Sequence, residues 1–150
     1  VYLLAFGGGL AGLWSLRDRY VTGPGLRERM RRLHLGLWTM AAICWMTVIS
    51  GTYIVYPWYR AKAPESPRSR LLADPSKAAW HTFGMEWKEH VAWLAPILST
   101  AVAALVWRYR EDLAHRADLR RAALVLFVLA FAAAVVPGVF GAFINKVAPI

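Results

Sequence analysis

One cysteine, Cys44, is all the chain has, so an intrachain disulfide is excluded and thiol usage says nothing about redox compartment. Cys44 lies inside an apolar run and reads as a small buried residue. Charge is also scarce, at 18% of residues against about 25% in soluble domains. Acidic residues are the scarcer kind, 9 against 18 Lys and Arg. Residues 35–58, 91–107 and 122–144 contain no Asp, Glu, Lys or Arg at all. Proton pumps, ion carriers and voltage sensors place ionisable groups at membrane depth, so a self-sufficient ion transporter is excluded as an expectation. No GxxxxGK[ST], GxSxG, HExxH or CxxC motif occurs, which removes the support for hydrolase, kinase and dithiol readings. No internal repeat of the kind that builds secondary transporters is visible.

What the chain does have is apolar length. Hydrophobic residues make up 58% and the mean hydropathy is +0.38. A bilayer core asks for roughly 20 apolar residues per helix, which the three charge-free runs supply or nearly supply. A fourth run, 1–16, is shorter and reads as a truncated spanning helix. Its rival, a signal peptide, would call for a basic flank before it and a small-x-small site after it, and neither is present. The sequence therefore predicts an all-α integral membrane protein, a single membrane domain over 1–150. Four transmembrane helices, at about 1–16, 35–58, 76/91–109 and 120–145, form an up-down bundle, with an outer loop at 60–77.

The net charge of +9 would point to nucleic acid in a soluble protein, but here the basic residues flank apolar runs. Phospholipid head groups are the expected counterions, and no nucleic-acid partner is expected. Residues 17–32 carry six arginines and 108–121 carry five, against six Lys and Arg in the longer stretch 60–89. The positive-inside rule then places the first two on the cytoplasmic side of a bacterial inner membrane. Residues 26–33 read as a basic amphipathic stretch lying along the head groups.

Punctuation fits this layout. Pro57 is expected to end the second helix beside Tyr53, Tyr56, Trp58 and Tyr59, rings that favour the membrane interface. Gly7, Gly8, Gly9, Gly12, Gly138 and Gly141 are expected to allow close helix approach, and Pro96 and Pro137 to kink their helices. The loop 60–77, with Pro64, Pro67 and Pro75, reads as too irregular to form a core and is expected to order against another subunit. Asp74 or Ser76 is the expected cap of the third helix.

Chemistry concentrates at the entry to that helix. Glu86 and His90 stand four apart on one face with Glu89 beside them, a spacing that could hold a metal or let a carboxylate orient a ligating imidazole. Further ligands would have to come from another helix or chain. His81 and His90 are also candidate axial ligands for haem b, but nine positions at 100° each set them on opposite faces of a continuous helix. His34, after the basic run, is a third candidate cofactor ligand at the other membrane face. The expected metal ligands are thus Glu86, Glu89 and His90, and the expected cofactor ligands His90, His81 and His34.

Two function classes follow. One is an integral subunit of a respiratory or photosynthetic electron-transfer complex, holding a haem, pigment or metal through a histidine near the outer face. The alternative is a cofactor-free accessory subunit that stabilises a larger membrane complex. Either is a non-catalytic or electron-transfer subunit in preference to a stand-alone enzyme. Both require lipid and other membrane subunits as partners.

Overall fold

The computed structural model of the chain describes residues 2–16, 23–110, 112–147 and 149. They are helical throughout, with no strand among the described residues. Helix α1 is Tyr2–Trp14 and α2 is Gly23–Ser50, the latter continuing through a π-helical turn, Gly51–Val55, into α3, Tyr56–Tyr59. After a connection carrying the short α4, Pro67–Ala73, the chain re-enters through a second π-helical turn, Trp80–Met85, then α5, Glu86–Ala92, and α6, Leu94–Arg108. A single helical turn, α7, Asp112–His115, leads to the long α8, Ala117–Val147.

Three of these composite helices are long and apolar enough to cross a membrane: Gly25–Tyr59, Trp80–Arg108 and Ala117–Val147. The expected fourth is a shorter apolar helix, Leu4–Trp14. Only 28%, 33% and 28% of the most apolar window of the three long helices is buried. Large side chains such as Met46, Ile54, Ile97, Val125 and Leu129 therefore point outward. Apolarity all round a helix is the mark of one that does not face water.

The inward stripe follows helical spacing. On α2, Met30, Leu33, Leu37, Met40 and Cys44 recur at three- and four-residue intervals and are buried. Helix α6 packs between α2 and α8, and α1 lies against α2 and α8. The main core joins Val102, Ala103 and Val106 of α6 to Ala123 and Phe127 of α8, all at 0% exposure. Small side chains there let the backbones close up. Polar side chains in the same layer cross between helices. Trp45 Nε1–H donates to Thr100 Oγ1 (3.0 Å), and Cys44 Sγ lies 3.8 Å from the fully buried Ser99 hydroxyl.

The glycines divide. A Cβ on Gly9 would meet the Phe127 ring at 2.5 Å and one on Gly12 would meet Leu33 at 3.0 Å, whereas Gly7, Gly8 and Gly138 face open space. Close approach is therefore needed at Gly9 and Gly12 only within α1.

Several boundaries differ from those read in the sequence. Residues 26–33 are not a separate stretch but early turns of α2, which begins at Gly23 and not at 35. The stripe Met30–Leu33–Leu37 is continuous across that boundary, and Glu28 links to Arg31 (3.1 Å) and Arg32 (2.7 Å) on the opposite face. Pro57 does not end its helix. Having no N–H, it cannot donate to the Tyr53 carbonyl four residues back; the backbone just before it widens, with Tyr56 N–H donating to Gly51 O. The helix then continues to Tyr59.

The connection 60–77 is also more ordered than expected. Ser66 caps α4 by accepting from Ser69 N–H (3.2 Å), Pro67 stands in its first turn, and Leu71 reaches 0% exposure against Tyr59, Met85 and Ile144. Through Leu71 this segment folds onto its own chain. Asp74, not Ser76, starts the next element by accepting from Ser76 N–H (3.0 Å). The Ser76 hydroxyl, with Lys77 also close by, holds the Asp74 carboxyl below the usual carboxylate range. The last helix runs Ala117–Val147, longer than 120–145.

Candidate functional site

Polar side chains gather at the end of the bundle where the chain leaves α3 and re-enters at Trp80. The two π-helical turns flank this place, and π turns are frequent at functional sites. Arg60, one residue beyond α3, reaches across to α5 and pairs with the Glu86 carboxylate and, at 3.5 Å, with Glu89. Its guanidinium also lies over the Tyr56 ring, 4.7 Å from the centroid. Arg60 Nε is buried without a partner among the described residues, so the cation uses only part of its donor capacity.

Beside this ion cluster, the Tyr59 hydroxyl lies 3.0 Å from His81 Nδ1. Tyr59 and His81 are exposed by only 4% and 6%, so each supplies the hydrogen bond that burial demands of the other. His81 belongs to the π turn Trp80–Met85, in which Glu86 N–H donates five residues back to His81 O. The ring is thereby fixed at both the backbone and Nδ1, and Nε2 is the nitrogen left for any further partner.

His90 is placed differently. It is exposed, on the last turn of α5, and its Nδ1–H donates to the Glu86 backbone carbonyl at 2.7 Å. A carbonyl can only accept, so Nε2 carries the free lone pair. Glu86 does orient His90, but through its main chain; its carboxylate belongs to Arg60. No group of three His, Cys, Asp or Glu arranged to hold a metal occurs among the described residues. The expected ligands Glu86, Glu89 and His90 thus form no metal-holding group: both carboxylates pair with Arg60 and the imidazole bonds the Glu86 main chain.

Comparison with protein-family models, with curated proteins and with solved structures finds no match. The local geometry alone must carry the functional argument.

His34 lies at the opposite end of the bundle. Twenty-five residues of helix separate it from Tyr59, about 37 Å at 1.5 Å per residue, so it shares no ligand with His81 or His90. It is half-buried, its Nδ1 lacks a partner among the described residues, and its ring meets Trp38 edge-on at 6.4 Å. His81 and His90 also stay apart, one buried and one exposed.

Two residues at the centre of the site, Tyr59 and Arg60, were not singled out from the sequence as chemical groups. The available signal was an arginine directly after an aromatic helix end, with unpaired acids at Glu86 and Glu89 across a hairpin.

Proposed function

We propose that this chain is an integral membrane subunit of a larger membrane complex, with α1 completing a four-helix bundle beside the three long helices. The observation that carries this reading is the outward apolar surface: about a third or less of each long helix's most apolar window is buried within the chain. Lipid and partner helices are the surroundings that such surfaces fit. In this reading residues 17–32 and 108–121 lie on the cytoplasmic side of a bacterial inner membrane and the Arg60 end faces outward, because arginine is densest in the first two segments.

The test is direct. The chain should stay in the membrane fraction after carbonate extraction. In a Cys44→Ser background, an impermeant thiol reagent should label Lys62→Cys from outside and miss Asp118→Cys. Release by carbonate would sink the membrane reading, and the reverse labelling would sink the orientation.

The geometry of His90 favours a more specific version, an electron-transfer subunit. An imidazole whose Nδ1–H is held by a backbone carbonyl, with an exposed Nε2 lone pair, is set up as a ligand: the hydrogen bond fixes the tautomer. At an exposed helix face such a histidine serves a haem, pigment or metal whose remaining contacts come from a partner subunit. His81, held by Tyr59, is the buried counterpart. In the native complex, His90→Ala should remove a haem or pigment absorbance, or a metal in elemental analysis, while the chain still inserts. An unchanged spectrum and metal content leaves the accessory reading, in which the Arg60 cluster only locks the helix ends together.

A further inference from the structure

His90 stands on an outward face that is otherwise mostly apolar. Trp87, three residues before it, and Leu94, four residues after it, share that face by helical spacing and are 41% and 48% exposed. Ile97, seven residues beyond His90, continues the face at 50% exposure. Toward the start of the span, Phe83 stacks on Trp87 with ring centroids 6.3 Å apart, and Trp87 meets Phe140 of α8 edge-on at 5.6 Å. Apolar side chains are ordinary on a helix that does not face water. An imidazole among them, with Nδ1 held and Nε2 free, is not.

Among the described residues the chain supplies a single ligand here. Both carboxylates near the imidazole pair with Arg60, and no group of three His, Cys, Asp or Glu stands ready to hold a metal. His81 cannot add a second imidazole, being 6% exposed with its Nδ1 on the Tyr59 hydroxyl. A bare zinc ion takes about three or four protein ligands. One imidazole falls short of that. A metal tetrapyrrole, by contrast, arrives with its equatorial nitrogens already in place, and it asks the protein for an axial imidazole and an apolar surface under the ring. Those are the two things this face offers. Trp87 and Leu94 lie about 10 Å apart along the helix axis, one on each side of the imidazole, so a ring centred on Nε2 rests on both.

We propose that His90 is the sole protein ligand of a metal tetrapyrrole, a haem or a chlorophyll-type pigment, with its ring on Trp87 and Leu94 and its other axial position left open by this chain. The inference rests on the reading of His90 as a cofactor ligand and narrows it in two ways. The class is a tetrapyrrole and not a bare ion, because only the former completes its coordination from one imidazole. The chain also holds it without a ligand from a partner subunit.

The test titrates the full chain in nanodiscs with ferrous protoporphyrin IX, with magnesium protoporphyrin IX and with zinc alone, against empty nanodiscs. The iron form should bind with a shifted Soret band and take up carbon monoxide at the open axial position. His90→Ala should weaken binding at least about tenfold, since even an outer-shell partner of a metal ligand is worth about 10–100-fold. Trp87→Ala should weaken it less, His34→Ala should leave it unchanged, and zinc alone should not be retained. Tighter binding of the iron form assigns a haem, and of the magnesium form a chlorophyll-type pigment. Tetrapyrrole binding that survives His90→Ala would overturn the proposal. Zinc retention that needs His90, or tetrapyrrole binding only when partner subunits are present, would overturn it too while leaving His90 a cofactor ligand. A native complex whose spectrum and metal content are unchanged by His90→Ala would instead overturn the ligand reading on which it rests.

Discussion

Arg60→Met should lower the unfolding free energy of the detergent-solubilised chain by about 2 kcal/mol, because it strands two carboxylates at one helix entry. Removing one partner of a buried ion pair costs about 3–5 kcal/mol, and exposed pairs contribute about 0–1. This cluster lies between: side-chain exposure is 34% for Arg60, 41% for Glu86 and 21% for Glu89. The loss should be mostly the penalty on Glu89, the most buried of the three. Adding Glu86→Gln and Glu89→Gln to the Arg60→Met chain should therefore restore part of the stability, although it removes still more of the native cluster. Arg60→Lys should fall between, since one ammonium cannot serve two carboxylates and the Tyr56 face as a planar guanidinium does. Thermal melts of the parent and these three variants decide it. If Arg60→Met melts with the parent, the cluster holds nothing together and its place in the bundle needs another reason.

The same cluster shows where sequence reasoning stops. Glu86, Glu89 and His90 are legible as neighbours because four residues return a helix to the same face. Arg60 is not, since 26 positions and a proline-rich connection separate it from Glu86, and nothing local says how that connection folds. Spacing alone offers the acids to His90 or to a metal, and the fold pairs both carboxylates with Arg60. The long helices, by contrast, could be read directly, because a charge-free run of this length has few other destinations.

The errors at the edges have physical causes as well. Four arginines in residues 26–33 outweigh three apolar residues in any composition argument, yet Met30 and Leu33 are in phase with Leu37 and Met40, and phase decides which face is buried. Likewise the prolines of 60–77 suggested irregularity, while Ser66–Pro67 is a cap followed by proline in the first turn, a start signal for a helix. The face of each long helix that turns inward was the hardest feature to read. In a chain that is apolar on every side, burial follows residue size and fit between helices, and hydrophobicity no longer separates inside from outside.

That last point sets the expected result for the centre of the bundle. Phe127→Ala should cost about 3 kcal/mol, at the low end of what a buried aromatic loses in a soluble core. Phe127 is 0% exposed, stacks on Phe6 with ring centroids 4.7 Å apart, and fills the space above Gly9. On the membrane reading the transfer part of the penalty shrinks, because the unpacked side chain would still lie among hydrocarbon tails. What remains is the cavity and the lost contacts. The partner position should respond with the opposite sign of volume. A Cβ on Gly9 would stand 2.5 Å from the tip of the Phe127 ring, and that ring is enclosed, so Gly9→Val should destabilise by overpacking in the parent chain. Combined with Phe127→Leu, which withdraws the ring from over Gly9, the smaller Gly9→Ala should be tolerated or slightly stabilising. A double-mutant cycle on Gly9→Ala and Phe127→Leu should thus show a favourable coupling above about 0.5 kcal/mol, the level at which contacting residues depart from additivity. Strict additivity would mean that α1 does not pack on α8 through this contact.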